Sequence, residues 1–212
     1  MSPTEKGLFI IYENIKDKIQ KLKLVLGEEN KHDEYFNTLP KNEISLLIQS
    51  QNPNLVLYNS LLPFLVSLIE YLLSNTFEIM LKYDVLAYDE LSKENLKIPI
   101  EDVMKISNGE LTLTQIITKN YNFQNLEVSN KVYKKHLKID LFKTISIKKK
   151  VNKKVIFLKD ELSSIISRRH LMIHEFAFDY DYNKEKFMFS LNVVELFLEV
   201  FISEIEKYST TA

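Results

Sequence analysis

Apolar residues recur at helical spacing along most of this chain. Leu8, Ile11, Ile15, Ile19, Leu22 and Leu26 share one stripe, which predicts a first helix from about Thr4 to Leu26. Thr4 stands where an N-cap would, and Gly27 where a helix would end. The polar stretch Glu28 to Asn42, with Pro40, reads as a linker, and Glu43 to Gln49 as a short helix. Pro53 and Pro63 flank the entry to a second long helix, placed at Leu61 to Lys82. Its apolar residues cover more than one face, which predicts a central position in a bundle. Shorter helices follow at Tyr88 to Asn95, Pro99 to Ile106, Thr112 to Asn120 and Leu126 to Leu137, with a turn at Asn108-Gly109. The last third predicts a helix from Lys159 to about Ile173 and a polar, aromatic-rich break from Tyr180 to Asn183. A final helix follows, with Ser190 as its N-cap and Leu191, Val194, Phe197, Leu198, Phe201 and Ile205 as its apolar face.

Composition agrees with this pattern. The 212 residues contain only 3 Gly and 5 Pro, too few turn-formers for a sandwich or barrel of short strands. The expected fold class is all-α: a helical domain over residues 51–212, preceded by a helical extension over residues 1–50. Hydrophobic residues make up 45% and charged residues 27%, the balance of a chain that can bury a core. There are no cysteines, so disulfides, thiolate nucleophiles and cysteine-based metal sites are excluded. The polar N-terminus lacks the organisation of a signal peptide, and the absence of cysteine fits a reducing compartment, so the expected location is cytoplasmic. The most apolar stretch, Leu55 to Leu81, is interrupted by Asn59, Pro63, Ser67, Glu70, Asn75 and Glu78. It reads as a buried core helix rather than a membrane span.

The formal net charge is −1, so no global field attracts nucleic acid. A local run, Lys148, Lys149, Lys150, Lys153 and Lys154, has two readings: a solvated loop or an RNA-binding patch. Glu70 breaks an apolar helix and must find a donor or reach water. It reads either as a solvent-facing acid or as a structural partner for a cation.

The segment from Leu162 to His174 carries the chemistry. Leu162, Ile165, Ile166, Met172 and Ile173 form an apolar stripe, and Arg169 occupies the next position on it. A guanidinium stays charged when buried, so Arg169 must be paired, line a polar cleft or interface, or snorkel to water. His174 lies five residues after Arg169. On an ideal helix the two point about 140° apart. Their convergence would require a helix end near His174, a bent arginine arm, or a second protomer. His170 and His174 have the i, i+4 spacing that can hold a metal, but Leu171 stands where a zincin helix has Glu. A third ligand would have to come from a residue such as Glu175 or Asp179, and no metal or other cofactor is expected. Asp179 and Asp181 read as surface charge. No Gly-rich phosphate loop and no G-x-S-x-G elbow is present.

Arg169-His170-Leu171-Met172-Ile173-His174 resembles the motif of the HEPN family, the higher-eukaryote and prokaryote nucleotide-binding domains: Arg, a polar residue, a short spacer, then His. An apolar helix with an embedded acid (Glu70) before the motif helix, and a final helix after it, extend the resemblance over roughly Leu55 to Tyr208. The resemblance implies a HEPN-like helical bundle. It also implies a metal-independent endoribonuclease of a toxin–antitoxin or antiviral defence system, acting as a homodimer in which two motif copies share a cleft. The partners it implies are RNA and an antitoxin or defence-system protein, with no membrane. In that reading His174 is the general acid or base at the ribose 2′-hydroxyl or the leaving 5′-oxygen, and Arg169 stabilises charge on the phosphate. His170 supports them. Apart from the resemblance, Glu70 is expected to orient Arg168 or Arg169. The products would be a 2′,3′-cyclic phosphate and a 5′-hydroxyl. Family members neutralised by nucleotidyltransferase antitoxins carry Tyr two residues after the His. This chain has Phe176 there, which argues against that mode of control. Two other functions stand beside the nuclease: a non-catalytic HEPN-like module that binds a nucleotide or a protein, and a metal hydrolase built on His170 and His174.

Overall fold

The structure is a computed structural model and describes residues 2–26, 53–93, 96–175 and 177–211. Gly27, the expected linker, the expected helix at Glu43 to Gln49, and Phe176 lie outside the described residues. The fold is all-α. Among the described residues the elements are α1 (Pro3–Val25), α2 (Pro53–Tyr83), α3 (Val85–Ser92), α4 (Ile100–Ser107), α5 (Leu113–Lys119), α6 (Leu126–Leu137), α7 (Leu141–Ile145), β1 (Lys148–Val151), β2 (Lys154–Phe157), α8 (Leu158–Glu175) and α9 (Lys184–Thr211).

Caps explain several boundaries. The Ser2 hydroxyl accepts from the Glu5 amide at 3.2 Å, and the Ser2 amide donates to the Glu5 carboxylate at 2.6 Å. This reciprocal pair starts α1 at Pro3, a first-turn position that needs no amide, so the cap is Ser2 rather than Thr4. Thr112 closes a second capping box with Gln115, which fixes α5. Asn183 starts α9 by accepting from the Lys186 amide at 3.0 Å. Ser190 is therefore not a cap but lies inside α9, where its hydroxyl donates to the Lys186 carbonyl at 3.0 Å and accepts from the Tyr182 hydroxyl at 2.9 Å.

The second long helix begins eight residues earlier than its periodicity suggests, at Pro53, and Pro63 stands inside it. Proline there removes the amide that would bond the Asn59 carbonyl, a break that α2 tolerates because tertiary contacts hold both sides of it. A helix of this length and apolarity satisfies the composition test for a membrane span, but half of its most apolar window is buried by protein.

The chain divides into two compact units: Met1–Asn14, Ile69–Ser146 and Leu198–Ala212 form one, and Ile15–Leu68 with Ile147–Phe197 form the other. The core of the first is aromatic. Phe77 lies 5.5 Å from Phe123 and 5.8 Å from both Tyr121 and Tyr133, ring centre to ring centre. Tyr133 is fully buried and donates to the Leu73 carbonyl at 2.6 Å. Gly7 sits where α1 meets α2, since a β-carbon there would lie 2.6 Å from Ile79 Cδ1.

The second unit packs the C-terminal part of α1 and the first half of α2 with α8, the N-terminal part of α9 and a β-hairpin. Tyr58 stacks on Phe187 with centroids 6.4 Å apart, and Leu62, Leu162 and Leu191 are fully buried. The hairpin occupies the lysine-rich run that the sequence presents as a loop. β1 and β2 pair antiparallel, Val151 opposite Lys154 and Lys148 opposite Phe157. Asn152 and Lys153 make the two-residue turn at φ +46° and +68°, the left-handed pair that a tight hairpin requires. β2 runs straight into α8 at Leu158, whose amide donates to the Ile147 carbonyl at 3.0 Å.

Candidate active site on α8

Helix α8 carries four of the expected site residues, and its environment separates them. Leu162 and Ile165 on the apolar stripe are buried, while Ile166, Met172 and Ile173 are half-buried. Arg169 shares that stripe and is half-buried as well. Its Nε is buried and has no hydrogen-bond partner among the described residues. A buried donor left unpaired costs roughly 1–3 kcal/mol, more when charged, so the fold keeps this guanidinium at a cost to stability.

Arg168 is paired. Its Nη1 pairs with the Asp179 carboxylate, and its guanidinium lies 4.7 Å over the Tyr182 ring. Asp179 is positioned by α2: its amide donates to Asn59 Oδ1 at 3.0 Å, and Asn59 Nδ2 donates to its carbonyl at 3.1 Å. Asp179 Oδ1 also accepts from the Asp181 amide at 2.9 Å. Asp179 is thus a structural anion, not plain surface charge. Burial pushes the Tyr182 hydroxyl up to about 12, so the ring under Arg168 stays neutral at physiological pH.

Glu70 and Arg168 each have another partner. The Glu70 carboxylate accepts from Gln124 Nε2 at 2.7 Å, and Asp179 supplies the anion for Arg168 instead. Asp179 fits because it follows α8 in the chain and is pinned by Asn59, whereas Glu70 is held by the loop before α6.

Helix α8 continues to Glu175, one residue past His174. The directions of Arg169 and His174 are therefore those of a regular helix, about 140° apart. Instead the structure brings together His170 and His174, both exposed, with ring centroids 4.5 Å apart and planes tilted by 43°. Among the described residues no group of three metal-ligating side chains is present, so a metal held there would have two protein ligands from this chain.

The lysines lie on the hairpin of the same unit. Lys148, Lys149 and Lys150 are exposed on β1, Lys153 sits in the turn, and Lys154 on β2 reaches Glu161 at 4.0 Å and the Phe189 ring at 5.2 Å. In the first unit a cleft of about 380 Å³ is lined by Lys138, Asp140, Lys143, Glu204, Lys207 and Tyr208, among others. Lys207 pairs with Glu204 within it, Lys138 and Asp140 pair with Glu90 and Lys134 outside it, and it contains none of the expected site residues.

Sequence reasoning missed Asn59, Asp179 and Tyr182. A signal for Asp179 existed: two adjacent arginines on one helix require counter-charge, and Asp179 is the nearest acid past the helix end apart from Glu175. Asn59 carried only the weak signal of an amide in an apolar run. No family model matches the chain, and neither a curated protein nor a solved structure matches it.

Proposed function

We propose that this chain is a metal-independent endoribonuclease of the HEPN type, in a toxin–antitoxin or phage-defence setting. It cleaves RNA by attack of the ribose 2′-hydroxyl on the adjacent phosphate. The observation that carries this reading is the contrast between the two arginines of α8. Arg168 has a carboxylate and an aromatic ring, whereas Arg169, one residue on, keeps a buried Nε without a partner among the described residues. A fixed cation with an orphan buried donor among the described residues, on the helix that carries two exposed histidines, suits a site completed by an anion, and a phosphodiester is the anion whose chemistry a histidine can use. His174 transfers the proton at the 2′-hydroxyl or at the leaving 5′-oxygen, Arg169 stabilises the developing charge on the phosphate, and His170 packs against His174 in support.

The divergence of Arg169 and His174 along α8 favours a cleft shared by two copies, in which the arginine of one protomer and the histidine of the other face one phosphate. The test is cleavage of a single-stranded RNA in excess EDTA, followed by analysis of the ends. This reading requires a 2′,3′-cyclic phosphate and a 5′-hydroxyl. Absence of cleavage by the dimer, or 3′-hydroxyl products, would remove it.

A further inference from the structure

The register of the hairpin sorts its side chains onto two faces. Val151 and Ile156 are buried, and they share the inner face with Lys149 and Lys154. The outer face carries Lys148 and Lys150 from β1 and Val155 and Phe157 from β2, paired Lys148 with Phe157 and Lys150 with Val155. Val155 is 66% exposed and Phe157 37% exposed. Val155 gives most of its surface to solvent, and Phe157 leaves more than a third of its surface uncovered on the same face.

This face is also held in place. The turn is tied to α9 by Asn192 Nδ2, which donates to Asn152 Oδ1 at 3.0 Å. β2 continues without a linker into α8, the helix of Arg169 and His174. Phe157 is the last residue of the strand and Leu158 the first of the helix.

We propose that the outer face of the hairpin is a binding site for single-stranded RNA, with one base stacked on Phe157 and its flanking phosphates held by Lys148 and Lys150. The choice of RNA rests on the nuclease reading of α8. Cross-strand pairing sets each lysine beside an apolar side chain, and one ring next to two ammonium groups matches one base between its phosphates. A duplex hides its base faces, so Phe157 has no role against it. Of the five lysines in the run, only Lys148 and Lys150 take part directly. Lys149 and Lys154 lie on the other face, and Lys154 is engaged by Glu161 and Phe189.

The test is the affinity of the full chain carrying His174→Ala, which prevents turnover, for a labelled single-stranded RNA and for the matching duplex. Phe157→Ala and Phe157→Leu should each weaken single-strand binding by about tenfold and leave duplex binding within twofold, while Phe157→Tyr keeps the parental affinity. The leucine variant retains apolar bulk, so its loss reports stacking rather than a collapsed hairpin. Lys148→Ala with Lys150→Ala should lower the salt dependence of single-strand binding by about 1.4 in the log–log slope. Single-strand affinities within twofold of the parent in the Phe157→Leu and double-lysine variants would overturn the site. So would binding of phosphatidylserine vesicles through the same residues with no RNA binding. If the wild-type chain binds RNA through this face but cleaves none, the nuclease reading fails and the site stands. If it cleaves RNA and the hairpin variants bind normally, the site fails and the nuclease stands.

Discussion

Arg168 and Asp179 form a charge pair that ties α8 to the chain leaving it, with Tyr182 stacked beneath the guanidinium and Asn59 gripping the backbone of Asp179. Both side chains are about one-third exposed, so solvent screens the pair. Asp179→Ala should therefore cost only about 1 kcal/mol, which for a chain of this size lowers Tm by about 2–4 °C. Asn59→Ala removes both backbone bonds to Asp179 and should cost at least as much. Thermal unfolding of the two variants checks the order.

Arg169 should behave in the opposite way. Because its buried Nε has no partner among the described residues, replacing it with a flexible apolar side chain removes an orphan donor. Arg169→Met should leave stability unchanged or raise it by up to about 1 kcal/mol. A loss of about 2 kcal/mol in urea unfolding would instead make Arg169 a structural residue with an unseen partner.

The alkaline limb of stability should reflect two buried tyrosines. Desolvation raises the Tyr133 hydroxyl well above its ordinary value and raises Tyr182 to about 12. Above about pH 10 the unfolded chain releases these protons while the folded chain keeps them. The unfolded state then binds fewer protons, and stability falls as pH rises. The contribution is fully present below pH 10 and is lost as pH climbs toward the folded values. Unfolding free energies between pH 8 and pH 11 should fall less steeply for Tyr182→Phe than for the parent. Equal slopes would contradict the burial of that hydroxyl.

Lys153 sits at φ +68° in the hairpin turn, where a β-carbon is strained. Lys153→Gly should relieve that strain and stabilise the protein by about 0.5 kcal/mol net of the greater freedom of glycine in the unfolded chain. A destabilised variant would show that the turn is not the left-handed pair described here.

The sequence made some of this legible, and the reasons for the rest are physical. Helix α6 is found at Leu126–Leu137 as its periodicity predicts, and the all-α class follows from the same pattern. Pro53 and Pro63 read as punctuation because proline usually ends a helix, yet α2 runs through Pro63, since burial of Tyr58, Leu62 and Leu65 outweighs one missing amide. The hairpin was hidden by its lysines, which have low strand propensity. Val155-Ile156-Phe157 was the strand signal, and only Val151 and Ile156 are buried. At the site, the anomaly of Arg169 was visible as a charge on an apolar stripe. The anchoring of Arg168 was not, because its partners Asp179 and Tyr182 come from an irregular segment with no period to read.

The central claim is that Arg169 and His174 carry RNA cleavage. The most direct measurement compares single-stranded RNA turnover in EDTA by the wild type, Arg169→Ala and His174→Ala, each checked for folding by circular dichroism. The account predicts that each substitution lowers the rate by at least about a hundredfold while the helical signal is retained. Cleavage at the wild-type rate by both variants would contradict it.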